Sequence, residues 1–217
     1  ASYPPLKLVG GYMAGGEPWR PADAFVGAVV GRIARECFLT KPGRANGALL
    51  HNAWKKNINT HETSAAGRLF DAASAFILGR TLSSFEGQGP MELEQIAADG
   101  CQAISLPLST DENGVLRSDW APLLDVLTDN DVSAETRAGI FHETMAQALV
   151  DQALAIRKLQ AYDAVGLSGG VFQNRRLSES VEQRLREQGI EVRLHKEIPA
   201  NDGGLCFGQI IETLAVW

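Results

Sequence analysis

The stretch Ala164–Gly204, AVGLSGGVFQNRRLSESVEQRLREQGIEVRLHKEIPANDGG, decides the fold of this chain. It holds two short apolar segments, Ala164–Leu167 and Ile190–Leu194, each followed by a glycine-rich turn and a helical segment. This β-α-β-α order predicts two parallel strands with a right-handed crossover. The turns Ser168–Gly170 and Pro199–Gly204 are therefore expected side by side, at the sheet edge where α/β proteins bind ligands.

The residues of these turns have two readings each, and the sequence leaves both open. Gly169 and Gly170 either form a tight turn or let backbone N–H groups approach a phosphate, helped by the dipole of the following helix. Asn174 is either the N-cap of that helix or a donor to ligand oxygens. Asp202 is either a turn residue or a ligand of Mg²⁺, Fe or Zn beside a bound phosphate.

The chain upstream of these turns is predicted to be rich in helix over about residues 18–160, with the β-α-β-α part at about 161–217. Residues 1–17 are expected to be irregular, and Asp111–Gly114 to form a hairpin-type loop. Thr63 or Ser64 is expected to cap a helix that ends near Leu78. Asp71 is placed off the apolar face of that helix, where an aspartate is usually solvated but small neighbours leave room for a ligand. The other predicted helices cover Pro21 to about Phe38, about 48–56, Met91–Asp99, Trp120–Leu127, Ser133–Gln160, Asn174–Glu187 and about 205–216.

Composition limits the class of protein. The chain has 217 residues, is 45% hydrophobic and carries a net charge of −6, values that are ordinary for a globular protein of one large or two small domains. No apolar run is long enough to cross a membrane, and no basic stripe alternates with aromatic residues. Membrane and nucleic-acid partners are therefore not expected.

The potential metal ligands and nucleophiles are sparse. The three cysteines are far apart and lack a CxxC pair, which argues against a disulfide framework or a cysteine zinc site and favours the cytoplasm. The four histidines lack HxxxH or HxH spacing, so each is expected to be structural, and any metal site is incomplete. Ser168 precedes the glycines, but no histidine has a sequence relation that marks it as a base for Ser168.

Several motifs occur in an order that closely resembles the last domain of the HypF family, the carbamoyltransferases of hydrogenase maturation, over nearly the whole chain. They are Glu17–Arg20, Asn57–Thr60 with Gly67–Ala72, Glu86–Gln88, Met91–Glu94, Phe141–Thr144, Leu167–Asn174 and Pro199–Gly204. The resemblance implies an α/β fold that is part of an actin-like (ribonuclease-H-like, ASKHA) ATPase domain. It also implies carbamoyl transfer from carbamoyl-adenylate, made from carbamoyl phosphate and ATP, to the C-terminal cysteine thiol of HypE. The product serves the cyanide ligands of [NiFe] hydrogenase.

The same resemblance assigns site residues by position. Asp71 and Gly87 would line the nucleotide pocket, Asp71 at the ribose or adenine. Gly169, Gly170 and Asn174 would contact the adenylate, and Asp202 would ligate the divalent metal. The chain departs from the family at Ala65, where a second serine is frequent, and at Glu143, where asparagine is usual.

The family's metal-binding HxxxH pair is not in this sequence. The chain is therefore expected to be the C-terminal half of the domain, active only with the rest of the HypF polypeptide.

Two other functions remain open at this stage. One is a transferase of the related tRNA threonylcarbamoyladenosine family (TsaD), which the acidic charge disfavours. The other is a non-catalytic nucleotide-binding or partner-docking module.

Overall fold

The computed structural model describes residues 1–10, 16–29 and 52–216. The chain divides into two compact units, Ala1–Thr144 and Met145–Trp217, called unit 1 and unit 2 below. Residues 30–38 of the helix predicted from Pro21 to about Phe38, and residues 48–51 of the one predicted at about 48–56, lie outside the described residues. No helix in the described ranges is both long and apolar enough to cross a membrane.

Unit 1 combines helices with two antiparallel strand pairs. Strand β1 pairs with β2 in a register that sets Leu6 opposite Thr63, and β3 pairs with β4 around the predicted loop at Asp111–Gly114. The elements in chain order are β1 (Leu6–Val9), α1 (Trp19–Val29), β2 (Thr60–Thr63), α2 (Ala66–Leu78), α3 (Gln88–Ile96), β3 (Leu108–Thr110), β4 (Leu116–Ser118), α4 (Leu123–Thr128) and the first part of α5 (Ala134–Leu159).

The pairing of β1 with β2 corrects two predictions. Residues 1–17 are not irregular throughout, because Leu6 and Leu8 of β1 are buried. Thr63 ends β2 instead of capping α2, and its Oγ1 accepts a hydrogen bond from the Ala65 N–H at 3.2 Å. The N-cap position is Ala65, which offers no side-chain cap. Strand pairing over more than fifty residues thus overrides the local capping signal.

Aromatic side chains hold the core of unit 1 together. The Phe25 ring lies 4.2 Å from the Trp120 ring, and the Phe70 ring meets Phe141 edge-on at 4.8 Å. His142 is also buried in this core, with its Nδ1 2.8 Å from the Ala138 carbonyl oxygen, as expected for a structural histidine. Because Phe70 is fully buried, the turn of α2 that carries it and the next residue is fixed in position.

Unit 2 contains the β-α-β-α arrangement that the sequence predicts. Strands β5 (Ala164–Leu167) and β6 (Glu191–Leu194) are parallel, and α6 (Arg175–Glu187) connects them. Leu177, Val181 and Leu185 form the buried stripe of α6 at helical spacing. Short 3₁₀ turns at Gly170–Gln173 and Asp202–Gly204 precede α6 and the last helix, α7 (Leu205–Val216).

Candidate functional site

The two glycine-rich turns lie side by side, as predicted. Leu167 and Leu194 are register partners at the ends of β5 and β6, so both turns leave the same edge of the sheet. The Gly169 N–H donates a hydrogen bond to the Ala200 carbonyl oxygen at 2.7 Å, which ties one turn to the other. The parallel register therefore creates a single surface from segments that are some thirty residues apart.

Gly169 has a structural role in the first turn. Its φ of 105° and ψ of 155° lie in a region that only glycine adopts without strain. Its N–H donates a hydrogen bond to the Ala200 carbonyl oxygen. Contacts of Gly169 and Gly170 with an adenylate stay a prediction.

Asn174 is the N-cap of α6. Its Oδ1 accepts a hydrogen bond from the Leu177 N–H at 2.8 Å, and the residue is buried. Of the two readings left open by the sequence, the capping one is present in the structure. A contact between Asn174 and a nucleotide stays a prediction.

Asp202 begins the 3₁₀ turn before α7 and is exposed. The turn is held by its neighbour Asn201, whose Oδ1 accepts a hydrogen bond from the Gly203 N–H at 3.0 Å. Within the described residues no group of three or more His, Cys, Asp or Glu side chains could hold a metal ion. Asp202 can supply one carboxylate, and the described residues do not by themselves form a metal centre.

An open cavity of about 570 Å³ lies beside the two turns. This volume is in the range of small-molecule sites. The side chains of Ser168, His195 and Asn201 line the cavity from the strand ends, and Gln209, Glu212 and Thr213 line it from α7. The predicted Gly169, Gly170, Asn174 and Asp202 flank the residues that line the cavity and are not among them.

Ser168 and His195 form a pair that the sequence reasoning missed. The His195 Nε2 lies 3.0 Å from the Ser168 Oγ, and both residues are exposed to the cavity. No sequence relation marks His195 as a partner of Ser168, and the contact between them comes from the pairing of β5 with β6. The strand register could have predicted this contact. Ser168 and His195 each directly follow one member of the register pair Leu167–Leu194.

A second group of predicted residues lies in unit 1, around Asp71. The residue is only 4% exposed, which corrects the expectation of a solvated position off the apolar face. Its Oδ2 lies 2.9 Å from the Arg68 Nη1 as an ion pair without an aligned hydrogen bond. Burial raises the pKa of Asp71 from 3.8 to about 6, although Arg68 acts to lower it and Glu86 adds to the rise. Buried carboxyl groups with a raised pKa occur preferentially at functional sites.

Gly87 directly follows Glu86, whose carboxylate lies close to the Arg68 guanidinium. The Arg68 Nη2 is 3.9 Å from a carboxylate oxygen of Glu86, so this guanidinium lies between Asp71 and the turn before α3. Gly87 has a left-handed conformation, with φ of 80°, at the N-cap of α3. The structure thus brings Asp71 and the Gly87 turn to one guanidinium within unit 1.

Comparison with known proteins identifies the family. The family described as carbamoyltransferase, Kae1-like domain, second subdomain, matches residues 1–209. The carbamoyltransferase HypF of Rhodobacter capsulatus is 35% identical over 213 residues, which are 97% of this chain and 27% of that protein. HypF of Rhizobium leguminosarum bv. viciae is 35% identical over 207 residues, which are 94% of this chain and 26% of that protein.

A solved structure gives the same result. A crystal structure of full-length HypF in the phosphate- and nucleotide-bound form superimposes with a TM-score of 0.87 at 26% identity, covering 99% of this chain and 28% of that one. The likeness confirms the predicted fold class, an α/β part of an actin-like (ASKHA) domain. The chain spans about a quarter of the length of these two HypF proteins. It belongs to the HypF carbamoyltransferase family and corresponds to the second subdomain of the Kae1-like domain.

Proposed function

We propose that this chain supplies part of the nucleotide and carbamoyl site of a HypF carbamoyltransferase. In this proposal carbamoyl-adenylate, made from carbamoyl phosphate and ATP, donates its carbamoyl group to the C-terminal cysteine thiol of HypE, for the cyanide ligands of [NiFe] hydrogenase. The observation that carries the proposal is the cavity beside two glycine turns on adjacent parallel strands, in a chain that matches this family over residues 1–209. The nucleotide-bound form of a solved relative supports it.

The unit 2 residues would orient the adenylate through backbone and cap geometry. The bond between Gly169 and Ala200 fixes the separation of the two turns, and the Asn174 cap fixes the start of α6. The α6 dipole provides favourable potential for a phosphate there. Contact with the phosphate would then fall to the turn at Gly169 and Gly170, and Asn174 would contact the adenylate at the start of α6.

The unit 1 residues would bind the nucleoside. A buried carboxylate can accept hydrogen bonds from ribose hydroxyl groups, and Asp71 is held for such a role by Arg68. Gly87 would leave the space beside it open, because no atom lies within 4 Å of the position that a Cβ would take.

We propose Asp202 as the ligand that this chain supplies to a divalent metal. Mg²⁺, Fe or Zn beside the phosphates would neutralise negative charge. Asp202 would supply one exposed carboxylate. The family's HxxxH pair is not in this sequence, so we propose that the other ligands come from outside this chain.

The rest of the HypF polypeptide is the partner we propose for α7. Phe207, Ile210, Ile211 and Leu214 follow the i, i+3, i+4, i+7 pattern and are between 46% and 69% exposed. An isolated helix of twelve residues is marginal in water, so an apolar stripe of this kind indicates a covering surface. We assign that surface to the first subdomain, because this chain matches the second subdomain of the same domain.

The covering of α7 is testable by hydrogen exchange in full-length HypF carrying this sequence. The α7 amides should be protected in the wild type and should lose protection in Ile211→Asp. Leu159→Asp is the matched control, because Leu159 is also exposed but lies at the end of α5. Rapid exchange throughout α7 in the wild type would exclude the docking.

The cysteines add a proposal on location. Cys101 and Cys206 are free thiols in the described part of the chain, which fits a reducing compartment, and we propose the cytoplasm.

The proposed function is tested with full-length HypF carrying this sequence. Asp202→Ala should abolish hydrogenase maturation if the carboxylate binds the metal, whereas Asp125→Ala, another exposed aspartate, should leave it intact. Unchanged maturation in Asp202→Ala would exclude the metal role. Absence of ATP or AMP binding by the wild-type protein in calorimetric titration would overturn the nucleotide site itself.

A further inference from the structure

The Ser168–His195 pair is the feature of unit 2 that the proposed nucleotide contacts do not use. The hydroxyl oxygen and the imidazole Nε2 are 3.0 Å apart, and both side chains face the cavity of about 570 Å³. Both residues are exposed, so neither is needed to fill the core. A serine and a histidine at hydrogen-bond distance in a cavity are able to transfer a proton.

The fold holds this pair in place from both sides. Strands β5 and β6 are hydrogen-bonded in a register that ends at Leu167 and Leu194, immediately before Ser168 and His195. On the other side of Ser168, the hydrogen bond from the Gly169 N–H to the Ala200 carbonyl oxygen joins the segment after β5 to the segment after β6. The backbone positions of Ser168 and His195 are therefore set by the strand pairing and by the bond between the two turns.

We propose that Ser168 and His195 form the proton-accepting pair for the acceptor thiol in carbamoyl transfer, a role that rests on the proposed function. The thiol proton passes to the Ser168 Oγ as the serine proton passes to the His195 Nε2. The thiolate sulfur then bonds to the carbamoyl carbon, and the bond from that carbon to the phosphate oxygen breaks. AMP leaves with the electron pair, and the imidazolium releases its proton to water.

The cavity has one titratable side chain besides His195 in the part of the chain that the structure describes. This side chain is that of Glu212, on α7. The thiolate is the nucleophilic form of cysteine, so removal of its proton is the step that a base accelerates.

The test uses full-length HypF carrying this sequence, with HypE as acceptor. His195→Gln keeps a hydrogen-bonding side chain but cannot take up a proton, and Ser168→Ala breaks the relay at its other member. We expect kcat to fall about 100-fold in each variant, with the dissociation constant for AMP within about twofold of the wild-type value, as for loss of an interaction made only in the transition state. The remaining rate should rise with pH as the acceptor thiol ionises without help. His61→Gln is the matched control, because His61 is exposed on β2 of unit 1.

The outcomes separate this proposal from the proposed function. A wild-type kcat and pH profile in His195→Gln would overturn the proton-accepting role alone. An equal loss of AMP affinity and kcat would also overturn it, because the pair would then bind the nucleotide. A carbamoyl group on Ser168, detected by mass spectrometry, would replace it with a covalent mechanism. If the wild-type enzyme transfers no carbamoyl group to HypE, the proposed function fails first.

Discussion

Replacing Asp71 by asparagine should stabilise unit 1 at neutral pH. The Asp71 side chain is 6% exposed, so solvent screens its charge little. The folded-state pKa rises from 3.8 to about 6, mainly because of burial, and this value already includes the opposing effect of Arg68. At 1.36 kcal/mol for each pKa unit, the rise corresponds to about 3 kcal/mol of destabilisation by the charged form.

The sign of the pH dependence follows from proton binding. Between pH 3.8 and about 6 the folded state holds the Asp71 proton and the unfolded state loses it. The free energy of unfolding of the wild type therefore falls as pH rises through this window and levels off above it. The asparagine side chain does not titrate and resembles the neutral aspartic acid at every pH. The Asp71→Asn variant should therefore match the wild type at about pH 3.5 and exceed it by up to about 3 kcal/mol at pH 7.

The assay is urea unfolding of both proteins at half-unit pH steps, followed by tryptophan fluorescence. Trp19, Trp54 and Trp120 lie in unit 1, so fluorescence reports mainly on the unit that contains Asp71. All other titrating groups are common to the two proteins and cancel in the difference. A difference that is independent of pH, or a less stable variant at pH 7, would refute the reasoning. If Asp71→Asn is more stable but binds AMP more weakly, the stability lost by burying the charged Asp71 carboxylate serves nucleotide binding.

Five other substitutions, two of which are controls, have expected outcomes that thermal or urea unfolding can measure. Asn174→Ala should destabilise unit 2 by about 1 kcal/mol through loss of the cap; Asn174→Ser should keep most of the stability, and a drop in its AMP affinity would reveal a ligand contact. Gly169→Ala should cost about 1–3 kcal/mol because of its positive φ, whereas Gly166→Ala, where a Cβ meets no atom within 4 Å, should be nearly neutral. Arg68→Gln should destabilise unit 1 by about 1–3 kcal/mol at pH 7 and have little effect below pH 4, where Asp71 is protonated; an equal effect at both pH values would exclude the ion pair as the cause.

Local signals account for the parts of the fold that were predicted well. The strand Ala164–Leu167 has the predicted bounds, and α6 begins one residue after Asn174 because that side chain caps it. Gly189, with φ of 69°, ends the turn before β6. Glycine conformations and caps act over a few residues, so the sequence carries them directly.

Long-range packing accounts for the misses. β1 needs a partner strand more than fifty residues away, and neither THET at β2 nor the cap signal at Thr63 indicates that pairing. Asp71 is buried because α2 is covered on most sides, which its own apolar periodicity does not reveal.

The sequence by itself determined the β-α-β-α unit, its parallel strands and the family, because glycine turns, caps and ordered motifs are local features. Only the tertiary structure decided which side chains meet. In the tertiary structure the Gly169 N–H donates a hydrogen bond to the Ala200 carbonyl oxygen, and the His195 imidazole contacts the Ser168 hydroxyl. Asp71 is buried beside Arg68. Each of these contacts depends on strand register or helix packing, and those are set by the burial of apolar surface across the whole unit.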